Sequence, residues 1–582
     1  MIFIGVLSTS NASLEAGEVA ELARLVSRDE HDRREQFVSR QFAMVYVNPG
    51  LSRGCISMAR GDHSVALVSG RPLFDAVDGN EDQSAVDEIR QAFDRGDHHS
   101  LLRSSRGSFC GAHFNESTRR LSVFVDKVGV IPLYYGVAPG RVYFATALRM
   151  LEGLARLRRT ISVEGMAELL SFGCCLGRKT PYEEISLLYS GEMVEVSASG
   201  LRASRYWRWD DVRSGNYLSR DSLVAEIDAH FEEAVRLRSG NANRQLAFLS
   251  GGLDSRAVTA TLRRLRKDVS TLNFAPHGTE DAVFGSMASR ALGTSHFHRP
   301  ADEKGVLAAG QAIVQAWRQD HPGMLEKSSG WVWSGEGGSV GMGHVYLDEN
   351  LVSIARSGDL AAVCRHFIES GGRRPPAGIF SSSVRAEVIQ APYDGLMAEL
   401  TALHPNDPGK VPLLFLLHND QRRHLSEYFE NLDQVRFELA LPFFDARVLE
   451  TIIRAPIDWF LRHRLYNQWL TVFGDELSRT PWQVYPGHEG PVNTAAVPGL
   501  RNQWEDGWLD REQLRRRARS FLPKTLALLN GTDFPDNVLS RARLWMAYLA
   551  TKIGAKDYGY ALNAALIVHR YAACSNVRDA NV

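Results

Sequence analysis

The stretch RQLAFLSGGLDSRAVTATLRRL, from Arg244 to Leu265, decides the fold class of the second half of the chain. The apolar run QLAFL predicts a buried strand, SGGLDS predicts a turn, and the residues after it have helical spacing. Two adjacent glycines let the backbone turn sharply and approach a ligand without a Cβ in the way. The helix that follows points unpaired N–H groups at the turn. The stretch therefore predicts a loop that binds phosphate or pyrophosphate, to which the hydroxyls of Ser250 and Ser255 add donors.

An acid lies inside this anion-binding loop. Asp254 is unfavourable there unless a cation binds together with the phosphates, so the sequence predicts Mg²⁺ between Asp254 and the phosphates. The loop is not a Walker A motif, because the GxxxxGK[ST] spacing and its lysine are absent. The alternative is a glycine-rich turn between strand and helix that binds no ligand.

Composition limits the class of protein. The 582 residues are too many for one core and predict two or three domains. A net charge of −1 gives no overall attraction to nucleic acid or to an anionic membrane, and no apolar run approaches the length of a membrane span. The six cysteines form no CxxC pair, which argues against a zinc or disulfide framework and favours a reducing, cytoplasmic location.

The predicted pattern of secondary structure changes once along the chain, after about residue 205. Residues 1–205 read as short alternating strands, such as RLSVFVDKVGVIPLYYG, with helical stretches between them, which predicts a largely antiparallel α+β domain. The aromatic and polar segment RYWRWDDVRSGNYLSRDS marks the junction. In residues 206–582 the runs RQLAFLS, STLNFAP and GWVWSGEGG alternate with helical patterns, which predicts a parallel sheet covered by helices and followed by a helical extension.

Several strings, in the same order, resemble one known family. SGGLDS resembles the pyrophosphate loop of the N-type ATP pyrophosphatases, specifically that of the asparagine synthetase family. STLNFAPHGTEDAVF is similar to that family's next strand and helix, WVWSGEGGSVG to its second nucleotide loop, and RFELALPFFDARVLE to its Glu-x-x-x-Pro-Phe-x-Asp segment. In the first half, RGSFCGAHFNESTRRLSVFVDKVGVIPLYYG resembles the family's glutaminase domain.

The resemblance implies a fold and a set of ligands. It implies an α+β, Ntn-hydrolase-like glutaminase domain over residues 1–205. A doubly wound α/β ATP pyrophosphatase domain, like the adenine nucleotide α-hydrolases, with a helical extension would follow over residues 206–582. ATP and Mg²⁺ are the implied cofactors, with Asp254 as the metal ligand. The implied nucleotide-binding residues follow the ends of three strands and are Leu249, Ser250, Gly251, Gly252, Asp254, Ser255, Asn273, Phe274, Ser334, Gly335 and Glu336.

The chain departs from the family at two places that matter for chemistry. Glutamine-dependent members use an N-terminal cysteine, exposed by removal of Met1, as the nucleophile, and here position 2 is Ile2. We therefore expect no glutaminase activity and an amine other than ammonia as the attacking group. Many members carry a second magnesium-binding Asp where this chain has Ser339. Asp348, Glu349, or the phosphates and water, are candidates to compensate.

The resemblance also supplies candidate catalytic residues. Ring-closing relatives deprotonate the amine with a Tyr–Glu pair. Glu438 takes the family position of the acid, expected at the rim of the pocket, with a structural ion pair as the alternative. Tyr428 is the nearest tyrosine and is otherwise a core residue. Arg464 replaces a lysine of the relatives; it cannot act as a base, but it can hold an adenylate phosphate unless it merely lies on a solvated helix face. The segment Thr480–Val492 resembles one in lasso peptide cyclases and either shapes a substrate cavity or crosses as a structural loop.

The sequence is most similar to lasso peptide cyclases within the family. That resemblance implies an AMP-forming carbon–nitrogen ligase that adenylates an Asp or Glu side chain of a peptide and joins it to the peptide's N-terminal amine. It also implies a precursor peptide, a leader peptidase and a leader-binding protein as partners, and neither nucleic acid nor membrane. One alternative is an ammonia-dependent asparagine synthetase or a β-lactam-type synthetase. The other is an inactive scaffold that binds peptide or nucleotide.

Overall fold

The computed structural model describes residues 1–49, 57–74, 82–301, 306–324, 330–370, 374–490, 499–502 and 511–575. Cys55 and the last two residues of the Thr480–Val492 segment lie outside these ranges. The described residues form two antiparallel sheets, then one parallel sheet, then a helical end. Among them, every helix is too short or too polar to cross a membrane.

Two six-stranded sheets make up the first part of the chain. Their strands are β1 (Ile2–Ser8), β2 (Arg34–Val38), β3 (Phe42–Val47), β4 (Ser57–Arg60), β5 (Ser64–Gly70), β6 (Phe109–Asn115), β7 (Arg120–Val125), β8 (Tyr134–Ala138), β9 (Arg141–Ala145), β10 (Ile185–Leu187), β11 (Glu192–Ser197) and β12 (Gly200–Arg205). The strand orders are β10-β8-β9-β1-β3-β2 and β12-β11-β7-β6-β5-β4. The helices are α1 (Ala16–Leu25), α2 (Asp82–Arg95), α3 (His98–Ser104), α4 (Leu148–Glu152) and α5 (Val163–Phe172).

The two sheets form a sandwich because both faces of their central strands are apolar. All seven residues of β1 and all six of β3 are buried, as expected for strands with a partner sheet on one side and helices on the other. The rings of Phe42 on β3 and Phe114 on β6 stack across the sandwich, with centroids 4.3 Å apart. Ile2, at the start of β1, is fully buried. The predicted antiparallel α+β architecture is confirmed.

A parallel sheet follows in the second part of the chain. Its strands are β13 (Arg244–Phe248), β14 (Asp268–Asn273), β15 (Ser295–His298), β16 (Trp331–Trp333) and β17 (Glu438–Ala440), in the order β15-β14-β13-β16-β17. The predicted strands RQLAFLS, STLNFAP and GWVWSGEGG are thus confirmed as β13, β14 and β16. The chain winds outward from β13 to β15, then returns to the other side of β13 with β16. Ligands of such sheets bind at the carboxyl ends of the strands where the winding reverses.

Helices surround this sheet and form the end of the chain. Those around the sheet are α6 (Arg220–Ser239), α7 (Asp254–Arg264), α8 (Glu280–Leu292), α9 (Val306–Asp320), α10 (Gly338–Gly341), α11 (Glu349–Arg356), α12 (Leu360–Ser370), α13 (Arg385–Thr401), α14 (Val411–Phe415), α15 (Arg422–His424), α16 (Ser426–Glu430), α17 (Leu432–Val435), α18 (Ala446–Arg454), α19 (Arg464–Leu470) and α20 (Asp475–Arg479). The extension consists of α21 (Arg511–Ser520), α22 (Leu522–Asn530), α23 (Arg541–Ile553) and α24 (Gly559–Cys574).

The extension packs back onto the first part of the chain. Met166 and Leu170 of α5 share one buried cluster with Leu562 and Val568 of α24. Arg159 also donates from its Nε to the carbonyl oxygen of Cys574, at 2.7 Å. The helical end therefore bridges the antiparallel sandwich and the helices of the parallel sheet.

Buried ion pairs fix the sandwich against the parallel-sheet part. Asp445, which is fully buried, accepts from Arg106 Nε at 3.2 Å and from Arg238 Nη1 at 2.8 Å. Asp433 accepts from Arg28 at 2.6 Å and from Arg149 at 3.1 Å. Removing one partner of such a buried pair is strongly destabilising. The predicted boundary between residues 205 and 206 falls between β12 and α6, and remains a prediction.

Candidate active site

The predicted phosphate loop leaves the carboxyl end of β13 and enters α7. Ser255 Oγ accepts from the backbone N–H of Ser250 at 3.0 Å and lies 2.9 Å from Ser250 Oγ. Asn273, at the end of β14, donates from Nδ2 to the carbonyl oxygen of Leu249 at 2.9 Å. A Cβ on Gly251 would lie 2.8 Å from Cα of Asp281, so this position requires glycine. The loop is a tightly built turn that closes on the neighbouring strand.

The second predicted loop leaves the carboxyl end of β16, on the other side of the reversal in winding. Ser334 Oγ accepts from the backbone N–H of Glu336 at 3.3 Å. A Cβ on Gly335 would clash with the backbone of Ser255, and a Cβ on Gly338 would clash with the carboxylate of Asp254. These glycines let the two loops touch. The sheet thus brings together the two segments that the sequence analysis assigned to nucleotide binding.

Asp254 lies where the two loops meet. Its Oδ1 accepts from the hydroxyl of Tyr466 at 2.6 Å, and its Oδ2 accepts from Ser339 Oγ at 2.5 Å. Burial raises the pKa of Asp254 to about 6, even though these two hydrogen bonds oppose the shift. Within the described residues no cation pairs with this carboxylate. A half-buried carboxylate held by neutral donors fits a site for a divalent cation.

The residue at the predicted second metal position is part of the same cluster. Ser339 contacts Asp254 directly, so its place in the fold matches its place in the sequence pattern. The two acids considered as substitutes are engaged elsewhere. Asp348 caps α11 by accepting from the backbone N–H of Leu351 at 2.7 Å. Glu349 lies 3.2 Å from both Arg462 and Arg464.

Asp281 is a residue that the sequence analysis did not single out as part of the site. Its carboxylate accepts from the backbone N–H of Gly251 in the phosphate loop, and burial raises its pKa. Asp281 therefore occupies the backbone N–H of Gly251, which could otherwise donate to a phosphate bound in the loop. The sequence feature that could have indicated Asp281 is the acidic pair in the string TEDA. Phe274, predicted to bind nucleotide, packs edge-on against Phe248 with ring centroids 6.0 Å apart.

Arg256, a further residue that the sequence analysis missed, is fully buried behind the phosphate loop. It donates from Nη1 to the carbonyl oxygen of Thr480 and from Nη2 to that of Pro481, both at 2.7 Å. The carbonyl oxygen of Gly251 accepts from the backbone N–H of Gln483 at 3.1 Å. Burial lowers the pKa of Arg256 to about 9. The described part of the Thr480–Val492 segment is thus fastened to the phosphate loop.

The contacts of the three predicted catalytic side chains are with residues other than Asp254. Tyr428 is buried, and its hydroxyl donates to the carbonyl oxygen of Phe437. Arg464 is bound by carboxylates, Glu349 and Glu489, each at 3.2 Å. Both ion pairs lie at the surface, so the alternative of a solvated cationic helix face stays open. The roles of Tyr428 and Arg464 in catalysis remain predictions.

Glu438 lies at the contact between the two parts of the chain. It pairs with Trp331 at the amino end of β17, whereas the phosphate loops leave from the carboxyl ends of their strands. Its Oε1 lies 2.9 Å from the amino nitrogen of Met1, beside a small cavity of about 30 Å³ between the two parts of the chain. Glu438 thus lines a cavity at the contact of the two parts of the chain, and its place at the rim of a substrate pocket stays a prediction. Its role as a base remains a prediction.

Two family models match this chain. One, described as "Glutamine amidotransferase domain", matches residues 83–207, and the other, described as "Asparagine synthase", matches residues 226–333. The two matched ranges lie in the antiparallel sandwich and in the parallel-sheet part, and together they cover less than half of the chain, which is thus similar to these families over part of each half. The second range includes β13 and the first loop and ends with β16, so the second loop follows directly after it.

Two curated relatives match parts of the asparagine synthetase-like chain. It is 23% identical over 250 residues, 39% of each chain, to "Asparagine synthetase [glutamine-hydrolyzing] 3" of Bacillus subtilis (strain 168). It is 25% identical over 162 residues to "Carboxyethyl-arginine beta-lactam-synthase" of Streptomyces clavuligerus, covering 26% of this chain and 28% of that one. The chain thus spans well under half the length of these relatives.

Similar solved structures match the chain weakly. "Structure of the allosteric regulatory enzyme of purine biosynthesis" is 10% identical with a TM-score of 0.25, covering 54% of this chain and 87% of that one. "Glutamine phosphoribosylpyrophosphate (PRPP) amidotransferase from B. subtilis complexed with ADP and GMP" is 11% identical with a TM-score of 0.22, covering 57% and 75%. The fold of the asparagine synthetase-like chain therefore rests on the family models and the strand orders.

The magnesium site gives a prediction for Ser339→Asp. This change places a second carboxylate against Asp254, which lies 2.5 Å from Ser339 Oγ. Without metal the two negative charges repel, and we expect the melting temperature in EDTA to fall by about 4–8 °C. Millimolar Mg²⁺ should restore most of this loss. Differential scanning fluorimetry with and without Mg²⁺ measures it, with Ser339→Asn as the control. An equal, Mg²⁺-independent loss in both variants would contradict a cation site.

Buried histidines under the Thr480–Val492 segment give a prediction for pH. Burial lowers the pKa values of His344 and His463 to about 3, and the ring of His463 lies 4.3 Å from that of His488. The unfolded pKa is about 6.5, so between these values only the unfolded chain binds the proton. Stability is therefore full above about pH 6.5 and falls at lower pH by about 1.4 kcal/mol per pH unit for each histidine.

His344→Phe is the matching variant, since His344 stacks on Phe460 with centroids 4.7 Å apart. Urea unfolding measured between pH 6 and pH 4 should show a shallower loss of stability in this variant, by about 1.4 kcal/mol per pH unit. His31→Phe, at an exposed histidine, is the control. An unchanged slope would show that His344 is protonated in the folded protein.

Proposed function

We propose that the chain is an AMP-forming carbon–nitrogen ligase that closes a peptide ring. It would adenylate an Asp or Glu side chain of a precursor peptide and join it to the N-terminal amine of the same peptide, as a lasso peptide cyclase does. A leader peptidase and a leader-binding protein would act with it in the cytoplasm. The observation that carries the proposal is the meeting of two glycine-rich loops at Asp254, where the winding of the parallel sheet reverses.

The chemistry follows from the groups at this point. The peptide carboxylate attacks the α-phosphorus of ATP, the bond from that phosphorus to the bridging oxygen breaks, and pyrophosphate leaves toward the Ser250–Ser255 loop at the amino end of α7. The buried guanidinium of Arg256 adds positive charge behind that loop. Asp254 would hold Mg²⁺, which when bound neutralises charge on the phosphates. The amine then attacks the acyl-adenylate, and AMP leaves as the amide forms and the amine loses a proton.

The proposal that the attacking amine comes from the substrate, rather than from glutamine, rests on residues that the first domain lacks or buries. The residue at the start of β1 is the aliphatic, fully buried Ile2. Burial raises the pKa of each cysteine thiol in the described residues, namely Cys110, Cys174, Cys175, Cys364 and Cys574. A thiol with a raised pKa is a poor nucleophile at neutral pH. Both observations favour an amine delivered by the substrate over ammonia released from glutamine.

The runner-up function is a synthetase for a small substrate, either an ammonia-dependent asparagine synthetase or a β-lactam-type enzyme. The curated relatives named for asparagine and β-lactam synthesis support this alternative. The third possibility, an inactive scaffold, is less well supported because Asp254 and both loops are intact.

The deciding experiment uses precursor peptide, ATP and Mg²⁺. We expect a product lighter by one water, together with AMP and pyrophosphate in equal amounts. Tandem mass spectrometry locates the new amide on an Asp or Glu side chain. Product formation from aspartate and ammonium instead would favour the runner-up. Absence of pyrophosphate with every acid tested would favour the scaffold.

A further inference from the structure

An open cleft lies between the antiparallel sandwich, the helices of the parallel sheet and the helical extension. Its volume is about 720 Å³. The sandwich side contributes Tyr134 and Phe172, and the opposite side contributes Arg423 and Glu427. The last helix, α24, closes one end with its Arg570 and Tyr571. We refer to this space as the interdomain cleft.

The interdomain cleft opens beside the candidate active site. His424, on its wall, lies with Nε2 2.9 Å from the carboxylate of Glu336 in the second glycine-rich loop. Glu336 directly follows Gly335, where an added Cβ would lie only 2.7 Å from the Cβ of Asp254. A ligand in the cleft therefore has one end next to the place where a carboxylate would meet ATP.

The size and lining of the cleft indicate the class of ligand. Pockets of about 300–1,000 Å³ take ligands of drug size, which for a peptide means several residues rather than one free amino acid. The cleft wall combines rings, such as Phe172 and Tyr571, with charges of both signs, such as Asp420 and Arg570. The Nε of Arg423 is buried there without a hydrogen-bond partner among the described residues. A peptide offers both apolar side chains and backbone carbonyl groups to such a wall.

The sandwich side of the cleft is held rigidly in place. Tyr134 donates from its hydroxyl to Glu430 Oε1 at 2.7 Å, and the backbone N–H of Leu148 donates to Glu430 Oε2 at 3.1 Å. Arg149 binds Asp433 at 3.1 Å. These contacts join β8 and α4 of the sandwich to α16 and α17. Residues of the glutaminase-like domain thus form a fixed wall opposite the synthetase helices.

We propose that the interdomain cleft binds the peptide whose carboxylate and amine react, and that the glutaminase-like domain serves here as one wall of the substrate site. The reaction in this proposal rests on the proposed function. The place of binding rests on the geometry of the interdomain cleft. It gives the first domain a role that needs neither a nucleophile nor glutamine.

Photolabelling tests the location without requiring turnover. The probe is a mixture of short synthetic peptides of varied sequence, each with one Asp or Glu and one benzophenone side chain, irradiated with the full-length chain. We expect labelled residues within 169–181, 420–431 and 570–571, and competition by the same peptides without benzophenone. Labelling confined to other surfaces, or no competed labelling, would overturn the proposal.

A variant pair tests the contribution of the sandwich wall. Phe172→Glu places a charge at an apolar part of the cleft, and we expect peptide-dependent ATP–pyrophosphate exchange to fall about tenfold or more while MgATP binding is unchanged. Val137→Glu makes the same change at a side chain that is 51% exposed on β8 and should have no effect. Exchange that is unchanged in Phe172→Glu, or supported equally well by free aspartate, contradicts the cleft. If Phe172→Glu does not fold, the labelling pattern of the unaltered chain decides.

The outcomes separate this proposal from the proposed function. If competitor peptides reduce labelling in the cleft but no acid supports ATP–pyrophosphate exchange, the peptide site is retained and the ligase function is rejected. Exchange with peptides together with labelling elsewhere would retain the ligase and reject the cleft.

Discussion

Asp254→Asn is expected to lower peptide-dependent ATP–pyrophosphate exchange by about 10²–10³-fold, an effect of the size seen when one group that stabilises transition-state charge is lost. The carboxylate lies half-buried between Tyr466 and Ser339, at the contact of the two loops. A neutral amide cannot balance Mg²⁺ together with the phosphates. The fold should persist, because a side-chain amide can still accept from one hydroxyl and donate to the other.

Exchange with the synthetic peptide mixture and the melting temperature are to be measured on the same preparation of Asp254→Asn. Asp475→Asn, at a side chain that is 85% exposed, makes the same chemical change away from the site. Tyr466→Phe keeps the charge of Asp254 but removes one donor, so its loss should be smaller. Near-normal exchange in Asp254→Asn would reject the magnesium role, and a large drop in its melting temperature would indicate a structural one.

Arg256→Met is expected to raise the KM for ATP about 10²-fold. Arg256 is fully buried, its pKa is lowered by burial, and the described residues provide two carbonyl oxygens but no carboxylate within salt-bridge distance. A bound polyphosphate would compensate this charge, and each charged hydrogen bond that is lost removes about 1.5–3 kcal/mol. Stability should change little, because methionine also removes the desolvation penalty of a buried cation.

For Arg256→Met, the KM for ATP is measured from the dependence of ATP–pyrophosphate exchange on ATP concentration. The melting temperature is measured by differential scanning fluorimetry. Arg264→Met, on the same helix, removes an arginine that pairs with Asp228 and Glu232 at the surface, and serves as the control. If the KM for ATP were unchanged while the melting temperature fell, Arg256 would only anchor the Thr480–Val492 segment.

The sequence by itself determined the elements that depend on local pattern. The run QLAFL, the glycine pair and the helical spacing after Asp254 specify a strand, a turn and a helix without help from the rest of the chain, and the structure has them as β13 and α7. The resemblance implied that the WVWSGEGG loop also binds the nucleotide, and the structure places the two loops at the carboxyl ends of adjacent parallel strands. Asp254 and Ser339 could therefore be assigned to one site from the resemblance.

Only the tertiary structure decided which distant side chains complete that site. Tyr466 contacts Asp254 across 212 positions of sequence, and Arg256 holds Thr480 across 224, separations over which no local periodicity carries information. The motif predicts the strand that begins at Glu438, and strand register together with the packing of the sandwich against β17 puts its side chain beside Met1. The interdomain cleft lies where three parts of the chain meet, so packing between these parts, rather than any segment's own pattern, creates it.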